Sequence, residues 1–394
     1  MRGRPAAFRG SGVTSRFIRG AAALLLCGAM IGAGCPASSQ DAPGLRFLGA
    51  AEIATGTRFE GTEIGGLSGL AWRGGDAWLA ISDDGADPRV YDFTLTLQEE
   101  RLGAGSIRID AVRRLTPAGG GRFKPPLDPE AIALGPGGWI YVADEGYTWK
   151  GHPSQVRIFN GDFASRGSLA PPPKIRPDGF RNDLGSRGVR RKFGFESIAI
   201  TPDGRRLFTA VEQALLQDGP AVGPAIGSRT RLFSYDLESG AAGPEYAYPL
   251  APVPGMLPLP LAQEAAGLVG LLALDNAGGF LALERSFTLS TGFSVRLFRV
   301  DTAGATDVSG DFVLPEDAIP VRKRELLDLA NLGIELDNME GMALGPELAT
   351  GERLLLLVSD NNFRARQRTL FLAFGFLPDA EQRAALDPSE ARAD

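Results

Sequence analysis

Apolar and polar positions along the chain fall into a phrase that recurs. Residues 129–146 read as an acid, a short apolar run, a Gly-rich turn, a second apolar run and an acidic pair, with Glu130 opening the phrase and Asp144-Glu145 closing it. The phrase returns from Phe195-Glu196 through Phe208 and Val211 to Glu212. It returns again from Met339-Glu340 through Leu356 and Val358 to Ser359-Asp360. Weaker copies run from Leu67-Ser68 to Ser82-Asp83-Asp84 and from Gly270 to Leu283-Glu284-Arg285. The copies begin at Ser68, Glu130, Glu196, Gly270 and Glu340, at steps of about 62, 66, 74 and 70 residues.

Alternating apolar runs joined by Gly, Pro and Asp turns predict antiparallel strand pairs. Their repetition at near-even spacing predicts one supersecondary unit per copy. The fold class expected is all-β, a β-propeller of four-stranded blades packed around a channel, with five repeats in the count. Outer strands are predicted at 89–95 and 107–113, at 155–159, at 230–235 and 246–250, at 294–300 and 307–313, and at 369–376. The last repeat lacks a fourth strand before the polar tail, 378–394, so residues 45–55 are expected to supply it. Closing the ring from the other terminus removes exposed sheet edges. The propeller domain then spans 45–377.

Antiparallel pairing places the start of each first strand and the end of each second strand at one mouth of the channel. Glu130, Glu196 and Glu340 should meet Asp84, Glu145, Glu212, Glu284 and Asp360 there as a ring of carboxylates. The longest loops, 146–154, 171–194, 213–229, 251–267 and 315–338, open on the same mouth, and loops on a rigid scaffold are where function sits. The 171–194 insertion is basic, with Lys174, Arg176, Arg181, Arg187, Arg190, Arg191 and Lys192. Arg285, Arg364 and Arg366 follow second strands and should reach the ring as well.

The N-terminus is patterned differently. Arg2, Arg4, Arg9, Arg16 and Arg19 precede an apolar stretch at 21–31 and then small residues. This predicts a signal peptide over 1–37 and export to the periplasm or beyond the cell. Cys35 follows Gly32-Ala33-Gly34, loosely as in a lipoprotein cleavage box, although the usual large aliphatic residue three positions before it is missing. A lipid anchor at Cys35 is the variant of this expectation. The mature chain should begin between about Gly34 and Ser39. N-terminal sequencing of the exported fraction checks this, and an intact Met1 on that fraction would exclude it. No later segment is long and apolar enough to span a bilayer.

Both cysteines, Cys27 and Cys35, lie in or beside the leader, so the domain has neither a disulfide nor a cysteine metal site. Of 41 Lys+Arg, five lie in the leader, so 36 face 47 Asp+Glu and the remaining net charge is −11. That balance argues against nucleic acid as a partner. A monomer is expected.

The phrases resemble the phytase-like family described as having esterase-like activity. The matching residues are Gly65-Gly66-Leu67-Ser68, Ser82-Asp83-Asp84-Gly85, Asp128-Pro129-Glu130, Asp144-Glu145-Gly146, Phe195-Glu196, Leu283-Glu284-Arg285, Asn338-Met339-Glu340-Gly341 and Ser359-Asp360-Asn361. The resemblance covers roughly residues 45–376 and implies an exported bacterial propeller, distantly similar to the calcium-dependent alkaline phytases. Those have six blades, which keeps six beside the five counted here.

The single histidine, His152, rules out two-histidine sites and is expected to be a loop residue without chemistry. A Gly-x-Ser-x-Gly elbow is absent from the sequence. Carboxylates without histidine or cysteine suit a hard cation, and Ca²⁺ takes six to eight oxygen ligands. The metal set expected is Asp84, Glu130, Glu145, Glu196, Glu212, Glu284, Glu340 and Asp360. Glu130, Glu196 and Glu340 are the catalytic candidates. Arg285, Arg187, Arg190, Arg191, Lys192 and Arg364 are expected to hold an anionic, phosphoester-like small molecule. Two readings stay open: a Ca²⁺-dependent hydrolase of phosphoesters or related esters, and a non-catalytic periplasmic propeller that binds a ligand or partner.

Overall fold

Runs such as Leu354–Val358 contain no polar position, which tells that both faces of the strand are buried. In a computed structural model describing residues 44–178, 185–253, 255 and 265–386, each such strand sits in a blade packed between two others. The predicted leader 1–37, Cys35 and Arg181 lie outside the described residues.

In chain order, β1 (Leu45–Ile53) precedes a short hairpin, β2 (Arg58–Phe59) and β3 (Thr62–Glu63). Blade one is β4 (Leu67–Gly74), β5 (Ala77–Ser82), β6 (Arg89–Leu95) and β7 (Ile107–Arg114). Blade two is β8 (Pro129–Leu134), β9 (Ile140–Asp144), β10 (Gln155–Phe159) and β11 (Ser165–Ser168). Blade three is β12 (Phe195–Ile200), β13 (Arg206–Val211), β14 (Ser228–Asp236) and β15 (Tyr246–Leu250). Blade four is β16 (Ala265–Ala273), β17 (Gly279–Thr288), β18 (Gly292–Asp301) and β19 (Arg322–Asp328). Blade five is β20 (Asn338–Glu347), β21 (Arg353–Asp360) and β22 (Thr369–Phe376), completed by β1. A short helix, α1 (Ala380–Leu386), follows.

The protein is thus a five-bladed propeller of antiparallel four-stranded sheets. The first strands β4, β8, β12, β16 and β20 pack side by side around the axis, and β20 returns to β4. As expected from the unpaired last repeat, β1 runs antiparallel to β22, from Leu45 opposite Phe376 to Ile53 opposite Thr369. It also touches blade one, where the Leu102 amide donates to the Leu48 carbonyl at 3.0 Å. Gly49 has φ +124° there, and a Cβ would stand 2.3 Å from the Leu102 carbonyl oxygen, so only glycine fits.

The core is a set of layers between blades. On β21, Leu355 and Leu357 pack toward blade four with Leu281, Leu283 and Leu297. Leu354, Leu356 and Val358 pack toward blade one with Trp78, Tyr91 and Phe93. The same alternation fills the other gaps, with Phe208 and Phe280 meeting at 4.8 Å between blades three and four.

One predicted strand is corrected. The outer strand of blade four is β19, not residues 307–313. Its sequence, Arg-Lys-Arg-Glu-Leu-Leu-Asp, is charged because it forms the sheet edge, where charge blocks further pairing. Residues 307–313 instead form a loop whose carbonyls hold two buried cations. Lys174 Nζ donates to Ser309 O at 2.8 Å and Asp311 O at 3.0 Å, and Arg231 donates to Asp311 O at 3.0 Å and Phe312 O at 3.2 Å. Among the described residues no helix is long and apolar enough to cross a membrane.

Candidate functional site

Every first strand carries a β-bulge near its start. Leu67 opposes Ser82 but Gly69 opposes Ile81, which leaves Ser68 unpaired. The same slip leaves out Glu130, Glu196, Val269 and Glu340. A bulge bends its strand and re-aims a side chain. Three of the five bulged positions are glutamates, and all three line one cavity of about 810 Å³ at the mouth.

The facing positions on the second strands follow the same register. One residue past the partner of the residue that precedes each bulge come Asp83, Glu145, Glu212, Arg285 and Asp360, and all five line the cavity. Asp128, just before β8, joins them. Two residues expected in the ring are turned out of it, each by one position. Asp84 accepts from Arg89 Nη1 at 2.6 Å, and Glu284 accepts from Tyr248 Oη at 2.8 Å and Lys323 Nζ at 2.5 Å. Side chains alternate along a strand, so a one-residue slip moves a carboxylate to the other face.

Fixed partners hold the ring. Asp144 accepts from Arg157 Nε at 2.7 Å and from the Asp128 amide at 3.0 Å, which sets the Asp128 turn. Glu145 accepts from the Gly194 amide at 3.2 Å. Arg285 is buried between two acids: Nη2 donates to Glu340 Oε1 at 2.9 Å, and Nη1 lies 3.5 Å from Glu212 Oε1. Asn338 Nδ2 donates to the same Glu340 oxygen at 2.8 Å.

Burial and mutual repulsion push the carboxyls up. Asp83 is raised to about 7 by burial and then by Glu340 and Asp128. Glu212 rises to about 7 and Asp128 to about 6, with burial the largest cause in each. Burial drives Glu130, Glu145, Glu196 and Asp360 well above the usual range, and neighbouring acids add to it. Asp83 Oδ1 is buried without a hydrogen-bond donor. Asp128, Glu130 and Glu145 each bring one oxygen within 4.8 Å of the others. An all-oxygen set of mutually repelling carboxyls, with neighbouring Asp83 offering an unsatisfied acceptor, fits a hard divalent cation.

The cations divide. Lys192, Arg364 and Arg366 line the cavity with Arg285. Arg187 lies outside it, 3.9 Å from Asp178 and over the Phe312 ring. Arg190 donates to the carbonyls of Ala214 and Gly219 at 3.0 and 2.6 Å, and Arg191 covers the Trp149 ring at 5.0 Å. Neither of these two lines the cavity. Phe193, Phe287 and Phe293 also line it. Sequence pattern alone did not single them out, although Phe287 stands two residues after Arg285 and therefore on the same face.

The sequence model of a family described as "Phytase-like: Esterase-like activity of phytase" matches residues 62–363. No curated protein matches the chain. Among solved structures, the catalytic domain of the Coprinopsis cinerea GH62 alpha-L-arabinofuranosidase aligns over 85% of this chain and 97% of that one, at 11% identity and a TM-score of 0.41.

Proposed function

The chain belongs to the phytase-like family, and on that premise we propose that it is a Ca²⁺-dependent hydrolase of phosphoesters or related esters, working in the carboxylate-lined mouth. The observation that carries this reading is the charge of the cavity. Among the described residues eight carboxylates line it, and the one buried cation of that lining, Arg285, is already shared between Glu212 and Glu340.

Asp128, Glu130 and Glu145 would hold the cation, with Asp83 beside them. When bound, Ca²⁺ neutralises the ring and polarises an ester oxygen. The chain's own groups then divide the remaining work. Lys192, Arg364 and Arg366 orient the anionic end of the substrate at the rim. Glu340, fixed by Arg285 and Asn338, takes a proton from the attacking water. Glu196, held protonated by burial, gives a proton to the leaving oxygen. The water oxygen forms the new bond to phosphorus, the ester P–O bond breaks, and the alcohol departs with the proton from Glu196.

The test is release of nitrophenol from 4-nitrophenyl phosphate with and without Ca²⁺. Glu196→Gln and Glu340→Gln are each expected to lower kcat by about 10²–10⁴, the range for losing a general acid or base. Wild-type turnover that survives chelation would remove the metal from the reading. Ca²⁺ binding without turnover of any ester would leave a binding propeller.

A further inference from the structure

We propose that Phe193, Phe287 and Phe293 form a specificity wall, and that the site takes esters pairing one anionic head with an aromatic or similarly flat apolar group. This rests on reading the cavity as an ester-hydrolysing site.

The wall is built by a feature of blade four alone among the described blades. At the mouth, the link from second to third strand is an irregular loop in blades one, two, three and five, such as 145–154 and 361–368. In blade four the strands continue. β17 and β18 pair from Gly279 opposite Asp301 up to Thr288 opposite Gly292, and three residues join them. The regular hairpin therefore rises past the carboxylate ring.

Alternation along β17 puts Arg285 and Phe287 on one face, with Phe287 one step further out. Phe293 lies directly opposite Phe287 on β18, and the two rings meet at 4.8 Å. Phe193 comes from the loop just before β12, the neighbouring blade, and lines the same cavity. All three rings are half-buried, in contrast to the fully buried Phe195, Phe208 and Phe280 of the inter-blade layers. Rings that served only the core would be covered; these border the space where a ligand sits.

Charge narrows the class further. The lining carries eight carboxylates against Lys192, Arg285, Arg364 and Arg366, and Arg285 is committed to two of those acids. Arg364 and Arg366, with Lys192 already facing Asp128, suit one phosphate or carboxylate head. A densely phosphorylated substrate would set many negative charges against the acid ring. An apolar body against the phenylalanines needs no such compensation.

The experiment compares kcat/KM for benzyl phosphate, ethyl phosphate and inositol hexakisphosphate on the Ca²⁺-loaded protein and on F287A/F293A. A preference of about tenfold for benzyl over ethyl phosphate, whose leaving alcohols are nearly matched in acidity, is expected, as aromatic contacts supply, with inositol hexakisphosphate the poorest of the three. In the double variant the preference should fall to about unity, mainly through a higher KM for benzyl phosphate. Phe287→Tyr should retain the preference. Equal turnover of benzyl and ethyl phosphate by the wild type, or preference for the hexakisphosphate, overturns the wall and leaves the hydrolase reading standing. If no ester is turned over, the hydrolase reading fails, and calorimetry with phenylphosphonate and methylphosphonate then decides the wall. Tighter phenylphosphonate binding that F287A/F293A abolishes would sustain it as a ligand-selecting surface. Equal or absent binding would overturn it.

Discussion

A chain beginning at Gly56 is expected to show no cooperative unfolding transition, whereas one beginning at Gly44 should melt as a single domain. The difference between them is β1. Leu45, Phe47 and Leu48 are buried in the layers on either side of blade five. Burying each is worth roughly 1.5–3 kcal/mol. The three together approach the whole stability of an ordinary domain, about 5–15 kcal/mol. The loss also leaves one edge of β22 unpaired along its length, and it removes Arg46, which bridges Glu352 and Glu100. The ring opens between blades five and one, where Leu48 also meets Leu102. Scanning calorimetry of the two chains checks this. Equal melting temperatures would mean that β1 only decorates a ring closed by other contacts.

The closure was legible because it follows from counting. A last repeat with three strands and a free apolar strand at the other terminus leave one economical arrangement, and β1 on β22 realises it. The first and second strands were legible because punctuation and alternation agree, as in Pro202-Asp203-Gly204 between β12 and β13. The edge strand β19 was not, because the charges that protect an edge also erase the apolar alternation that signals a strand. Of its residues, Lys323 reaches inward across Phe298 and Tyr248 to Glu284, which no local pattern reveals.

At the site, the limit was one residue. Asp83 and Asp84 are chemically alike and adjacent, and Glu284 and Arg285 are adjacent charged residues of opposite sign. Which of each pair meets the axis depends on the pairing register at the bulge, which is a property of the backbone ladder. The basic insertion misled for a different reason. Lys174 is drawn into a buried pair with Glu245, and Arg190 into loop carbonyls, so of the insertion's described cations only Lys192 lines the mouth. The destination of a long cationic side chain is decided by the acceptors around it, which are contributed from distant segments.

Ca²⁺ is expected to raise the melting temperature, and more so near pH 8 than near pH 5. The ring carboxyls have folded pKa values above their unfolded ones, led by burial, with Asp83 and Glu212 at about 7. Below the unfolded pKa near 4 both states are protonated and folding costs nothing on this account. Between about pH 4 and pH 7 the folded ring still holds protons that the unfolded chain has released, so stability falls as pH rises. Above that window the full cost is present, on the order of 4 kcal/mol for Asp83 alone. The metal-free protein should therefore melt lower near pH 8 than near pH 5. Bound Ca²⁺ would replace the protons as the neutralising charge, and at a hundredfold excess over its Kd it would restore about 2.7 kcal/mol. The variant that tests the assignment is Asp128→Asn with Glu130→Gln, which keeps shape and removes two of the three clustered carboxylates. Glu340 is the wrong choice, since its loss also strips a partner from buried Arg285. Without metal the double variant should melt above the wild type near pH 8, because two repelling charges are gone, and it should lose the Ca²⁺-dependent rise. A wild-type protein whose metal-free melting temperature climbs from pH 5 to pH 8, or is unmoved by millimolar Ca²⁺ near pH 8, would show that the ring is neutralised from within and needs no cation.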